Sequence, residues 1–395
     1  MPDFADSNRV GLRRIEEATW GTTPSGPNMK NLNFTSESLK SNINTVTSET
    51  IRSDRNVSDI TQVGGGAGGD IGFEVRYGDI DDLIAGAMNE AWTTTLVSVS
   101  HSAFVSGARL FVGNGSAGNA VVSGQMLRLA NSSLTANNGD YRVTGVSVTG
   151  ASAVIDLADA SSGAAASFTS DIFAATTTFK GKNIRNGVTK SSFTIEKEFA
   201  DVSTFAQYTG MRVTNMGLNF VSQSMLTGTF GFTGKTQAAT STTVASATTA
   251  ASTNDALNAS GNVARIWEGG QAVTGVVFQS VGVELNNNPR EQTKVGSDQL
   301  AGVGLGRAEV TGSFSAYYEN NALLDKFVAG TATNLRFQVT DADGNSYIID
   351  IPKVRLTDQT VTATGANNDI MQDVTWGAMV DDTGTYAIQI DALDA

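Results

Sequence analysis

Apolar residues along this chain come in short alternating groups, and the alternation changes period at a few marked places. From about residue 32 the pattern is that of β-structure, with a strand expected near 33–46 and a long polar loop running to about 69. In "DIGFEVRY" Ile71, Phe73, Val75 and Tyr77 then fall on one face of a strand, with Gly72, Glu74 and Arg76 on the other. The next stretch, "DIDDLIAGAMNEAW", sets Ile80, Leu83, Ile84, Ala87, Met88 and Trp92 at helical spacing. Asp79, Asp81 and Asp82 precede and open that helix, where capping and the helix dipole favour carboxylates. "SSFTIEKEF" (191–199) reads as a strand, and "GMRVTNMGLNFVSQSMLTGTFGFTGK" (210–235) as two strands joined by a tight turn.

The second half repeats the phase of the first. In "AEVTGSFSAYYENNALLDKFVAGT" Gly312, Phe314, Ala316 and Tyr318 alternate and give way to Leu323, Leu324, Phe327 and Val328. The differences 314 − 73, 318 − 77 and 324 − 83 all equal 241. Each matched strand is preceded by an alternating segment, "FTSESLKSNI" or "FQSVGVELNN", and by a glycine-punctuated loop, so a tandem duplication of one β-rich unit is expected.

This pattern divides the chain into an extended arm over 1–30, with a turn of helix at 10–18, and a first unit over 31–94 and 179–235. A small all-β insertion covers 95–178, where Asn138-Gly139 ahead of Tyr141 and Val143 signals a hairpin. Residues 236–261, low in complexity and in large apolar side chains, read as a linker or external loop, and 262–395 as the second unit.

Composition narrows the chemistry. There is no cysteine and one histidine, His101 in a serine-rich stretch, which removes disulfides, thiolate metal sites and most proton-shuttle chemistry. No stretch reaches the length of a membrane span, and the charged N-terminus lacks the apolar core of a secretory signal. With 39 acidic against 26 basic residues, a net charge of −13 opposes tight binding of a polyanion. "GGGAGG" (64–69) lacks the Gly-Lys-Ser/Thr of a phosphate loop and leads into a strand, so it reads as flexible loop. "DADGNS" (341–346) opens like a calcium loop but has Pro352 at the twelfth position, and reads as a hairpin turn. No nucleophile elbow accompanies the many hydroxyls, so no catalytic residue, metal or cofactor is expected.

Several stretches together resemble the major tail tube protein of long, non-contractile-tailed bacteriophages: "EEATWGTTP", "SETIRSDRNVSD", "GFEVRYGDIDDLIAGAM", "SSFTIEKEFADVSTFAQYTG" and "VELNNNPREQTKVGS". The resemblance implies a mainly β fold of tandem sandwich or barrel units, each with a short flanking helix, that assemble into stacked rings around a channel for double-stranded DNA. It implies a structural, non-enzymatic virion tail protein made in the host cytoplasm. Its partners would be itself, the tape measure, tail terminator and distal tail proteins, and passing DNA bound without specificity, with no membrane. Two units per chain favour a trimeric ring of pseudo-sixfold symmetry, a hexamer being the alternative. The resemblance also implies that the loops at 47–69 and 286–306 reach another subunit; Glu49, Arg52, Asp54, Arg55 and Asp59 then make an inter-ring contact, or else a solvated loop face. Glu74 and Glu284, on polar strand faces, are the candidates to line the channel, or else outer surface. A β-rich decoration or adhesion protein is the alternative function.

Overall fold

The computed structural model describes the chain apart from residues 1–3, 99–103, 106–108, 114–120, 131–136, 150–151, 160–165, 167–177, 269–270, 273–276, 364 and 383; His101 lies outside the described residues. The first half contains β1 (Val10–Glu16), β2 (Asn28–Asn31), β3 (Ser36–Glu37), β4 (Lys40–Thr47), β5 (Ile60–Glu74) and helix α1 (Asp81–Met88). Next come β6 (Thr93–Ser98), β7 (Phe104–Val105), β8 (Arg109–Gly113), β9 (Met126–Ala130), β10 (Gly139–Thr149), β11 (Ser152–Asp159) and β12 (Thr178–Arg185). The chain returns through β13 (Phe193–Phe199), β14 (Thr204–Val221), β15 (Thr227–Gly234), β16 (Thr236–Thr240) and β17 (Ala247–Thr249). The second half contains β18 (Val263–Glu268), β19 (Gln271–Ala272), β20 (Phe278–Asn286), β21 (Arg290–Gln292), β22 (Gly302–Gly304) and β23 (Glu309–Tyr317). Helix α2 (Ala322–Ala329), β24 (Thr333–Thr340), β25 (Ser346–Thr362), β26 (Met371–Ala378) and β27 (Gln389–Leu393) complete it.

Eight strands lie side by side, all antiparallel, in the order β4, β5, β15, β14, β20, β23, β26, β25. The first four come from the first half and the last four from the second, in corresponding order. The helices correspond too: 322 − 81 and 329 − 88 both equal 241, and both helices end on a left-handed residue, Asn89 and Gly330. Hydrophobic periodicity therefore carried the repeat of strand and helix into three dimensions.

The long strands β14 and β25 each serve two layers. Their second halves lie in the eight-stranded sheet, while their first halves pair with β13 and β16 or with β24 and β27. β14 turns between layers at Gly210, whose φ of +70° suits a residue without Cβ; an added Cβ would lie 3.1 Å from the Trp20 ring. Near the corresponding place β25 carries Pro352. Between the layers the alternating apolar residues close one core, in which Phe73 stacks on Phe230 at 4.8 Å and Trp376 is fully buried.

Several local expectations are corrected. Residues 10–16, expected as part of a helical turn within a loose arm, form β1, paired along its length with β13. Arg14 from β1 is buried and forks onto Asp82, with Nη2 also donating to the Asp79 carbonyl. The aspartates at the start of α1 are thus pins rather than caps: the N-cap residue is Ile80, with no side-chain cap bond, Asp81 accepts from Lys182 and Tyr347, and Asp79 accepts from the Ser252 N–H. The glycine run is not a loop but the middle of β5, between β4 and β15. Small size is what the site requires there, since a Cβ at Gly68 would meet the Phe232 carbonyl at 2.9 Å. Only residues 48–59 lie outside strands in the expected loop 47–69, and the loop at 286–306 contains the β21–β22 ribbon.

The low-complexity stretch 236–261 is also more than a tether: β16 pairs with β14, β17 runs parallel to β2, and buried Leu257 exchanges backbone hydrogen bonds with Val75 and Leu226. Its main chain supplies bonds that its side chains do not advertise. β9 and β10 pair antiparallel, as the Asn138-Gly139 signal implies, and Asp341 holds the β24–β25 turn by accepting from Asn345.

Candidate functional site

Alternation gives the eight-stranded sheet two unlike faces. One is the core face just described. The other carries small polar residues row by row: Gly72 on β5, Thr227 and Thr229 on β15, Gly217 and Asn219 on β14, Gly282 on β20, Ser313 and Ser315 on β23, and Thr375 on β26. Directly opposed residues of antiparallel strands share a face, so the register alone fixes this assignment.

Carboxylates stand among them. Glu74 lies opposite Thr227, and Glu284 opposite both Gly217 and Thr311, so both acids singled out from the sequence sit on this polar face. The structure adds Asp70 opposite Gly231, Glu309 opposite Asn286, Asp358 opposite Thr375, and Asp373 opposite Ser315 and Thr360. Asp70 was legible, two residues before Gly72 and four before Glu74 in the same alternating phase; Asp358 was not, because a bulge between Leu356 and Asp358 resets the phase of β25. Cations are fewer: Arg76 and Arg307 approach Glu74 and Glu309 at 3.5 and 3.6 Å, Arg355 lies opposite Gly377, Lys40 opposite Gly68, and Arg212 opposite Thr233 in the same row. The result is a hydroxyl-rich surface on which carboxylates outnumber cations among the described residues.

β4 and β5 continue past the sheet as a hairpin whose tip, residues 49–59, is exposed throughout. Glu49, Arg52, Asp54, Arg55 and Asp59 all stand on it. They do not converge as one cluster: Arg52 forks onto Asp54, Asp59 accepts from Thr61, and Arg55 occupies a left-handed turn position. Hydrogen bonding to Arg52 holds the Asp54 carboxyl well below its usual range. Apolar side chains accompany the charges, with Ile51 98% and Val57 63% exposed. The second ribbon folds back onto this hairpin, where Gln299 bridges Gly65 and buried Leu300 reaches Gly66.

Among the described residues no three His, Asp or Glu side chains converge as metal ligands, and no helix is long and apolar enough to cross a membrane. Comparison with family models matches residues 7–378 to the phage tail tube protein. None of the curated proteins compared with the chain matches it.

Proposed function

Because the chain belongs to the phage tail tube protein family, a structural component of the virion tail, we propose that three copies close a ring whose polar sheet faces line a channel, and that such rings stack into the tube. The observation that carries this reading is the open-ended sheet made of the same four-stranded set twice over, β4-β5-β15-β14 and β20-β23-β26-β25. An open sheet presents unpaired edge groups, and a head-to-tail ring satisfies them by closure. Two sets per chain make three chains equivalent to six units.

The channel then conducts double-stranded DNA during ejection. A wall of Ser, Thr, Asn and Gly with Asp70, Glu74, Glu284, Glu309, Asp358 and Asp373 repels phosphates and gives little counterion release, so duplex slides without a grip. The hairpin tip carrying Glu49, Arg52, Asp54, Arg55 and Asp59 meets the adjoining ring, and its bare Ile51 and Val57 gain cover there. We divide the chain into two tube units interrupted by the β-rich insertion, which takes in β6 and β12 because β13, not β6, corresponds to β24 beside the long strand, and which lies outside the tube. Tape measure, tail terminator and distal tail proteins complete the tail, of the long non-contractile type, after synthesis in the host cytoplasm.

Negative-stain electron microscopy of the purified chain over a range of concentrations tests the proposal. Stacked hollow rings wide enough for duplex DNA, with threefold averages showing six similar lobes, are expected; persistent monomers or solid fibres would overturn it.

A further inference from the structure

Inside the molecule β14 pairs with β20 in a seven-residue register that includes Leu218 opposite Val283 and Asn219 opposite Gly282. The counterparts of these strands at the two ends of the sheet have no strand beside them among the described residues: the second half of β25 has β26 on one side only, and the β3 segment has β5 on one side only.

The correspondence can be carried residue by residue. Phe73 opposes Gly228, which opposes Leu218; Phe314, 241 positions on, opposes Val374, which opposes Gln359, so Gln359 matches Leu218. Ile71 opposes Glu37 and Gly312 opposes Val283, so Glu37 matches Val283. We infer that the second half of β25 pairs antiparallel with residues 34–38 of the next copy, with Gln359 opposite Glu37 and Thr360 opposite Ser36.

Three independent features of the free chain agree with this register. Phe220 in the internal joint is 9% exposed, whereas Val361, its match on β25, is 41% exposed. Both amide atoms of Gln359 are buried without a hydrogen-bond partner, and the register sets them opposite the Glu37 carboxylate of the next copy, whose oxygens accept from Lys197 and the Leu39 N–H and keep lone pairs for the amide. In α1, Asn287, the first residue past β20, donates from Nδ2 to the Ala87 carbonyl at 2.8 Å and Ala87 is fully covered; in α2 the matching Val328 is 77% exposed. The edge strand of a neighbour would bring its residues past Lys40 to that helix. The polar Gln359–Glu37 pair takes the place of the apolar Leu218–Val283 pair, and because Glu37 is held by Lys197 and the Leu39 N–H of its own copy, its carboxylate stands at a fixed place and a slip of two residues is costly.

This inference rests on the ring proposed above, and the absence of cysteine allows both to be tested in the full chain. Thr360→Cys with Ser36→Cys is compared with Thr360→Cys with Ser38→Cys, and with the intrachain control Asn219→Cys with Gly282→Cys. A direct antiparallel pair lies within disulfide reach, whereas a diagonal one, about 7–8 Å apart, does not. Mild oxidation of assembled protein should give covalent trimers from the Ser36 pair and lose them in the Ser38 pair. Trimers from the Ser38 pair instead would overturn the register. No interchain bond from either, while the control closes and micrographs show rings, would overturn the joint and leave the ring standing. Failure of the unsubstituted chain to form rings would overturn the ring and this joint together. Gln359→Glu should also abolish ring formation in a folded chain, and adding Glu37→Gln should restore it; rings from Gln359→Glu alone would count against the pairing.

Discussion

The second halves of β14 and β25 occupy matching places in the repeated sheet, and among the described residues β14 has a strand on both sides and β25 on one. Their side chains follow suit. Met216, Leu218 and Phe220 are buried on β14, whereas their matches on β25 are buried Leu356, Gln359 and the 41% exposed Val361. One position of the three, Leu218 against Gln359, is therefore apolar where its neighbour is built into the same chain and polar where the neighbour must arrive from solution. The helices show the same contrast: α1 buries Leu83, Ile84, Ala87 and Met88 and is pinned by Arg14, whereas α2 has Leu323 at the place of Asp82 and leaves Val328 bare.

Substitution inside the covered joint should do most damage to the isolated chain. Leu218→Ala is expected to cost about 2–4 kcal/mol in urea denaturation through lost burial and a residual cavity, whereas Gln359→Ala should leave the unfolding midpoint unchanged and reduce only assembly. Equal destabilisation by both would erase the contrast. At the helices, Asp82→Ala strands the buried Arg14 guanidinium and should cost about 3 kcal/mol. Leu323→Ala, on the half-covered helix, should cost about half as much in the same measurement.

Replacing residues 50–58 by a short glycine linker should leave the thermal midpoint within about 1 °C, because that tip is exposed and carries no core residue. Sedimentation should then show rings that do not stack, and normal tubes from this variant would remove the tip from the inter-ring contact.

The smallest effect concerns acidity. Asp391 on β27 is fully buried, where it accepts from the Met126 N–H and from Gln389, and burial pushes its carboxyl up to about 7. A folded value above the unfolded one means that this group favours the fold at low pH and that its contribution is lost as pH rises through about 7. Asp391→Asn should therefore flatten the fall in thermal midpoint between acid and neutral pH by a few degrees. An unchanged slope would show that Asp391 titrates elsewhere.

Strand and helix periodicity were legible wherever one face meets the core, as in Ile71–Tyr77, Leu83–Met88 and Gly312–Ala316, because burial on one side writes a period of 2 or 3.6 into the residues. The same periodicity put Glu74 and Glu284 on the polar face. It was silent for β16 and β17, whose strand pairing is made by main-chain bonds, and it misled at β1, where Arg14 is a buried residue. "GGGAGG" looked like slack because a strand packed against carbonyls on both sides needs no side chains at all.

By itself the sequence determined the mainly β class, the two-fold repeat at a spacing of 241 residues, the two helices, and an acidic chain without cysteine or metal-binding pattern. Only the tertiary structure decided that the two repeats share one sheet, that the carboxylates gather on a single face of it, and which edges are left open. Periodicity records which side of a residue is buried; it does not record which strand lies next to it, because backbone hydrogen bonds between strands are the same for every side chain.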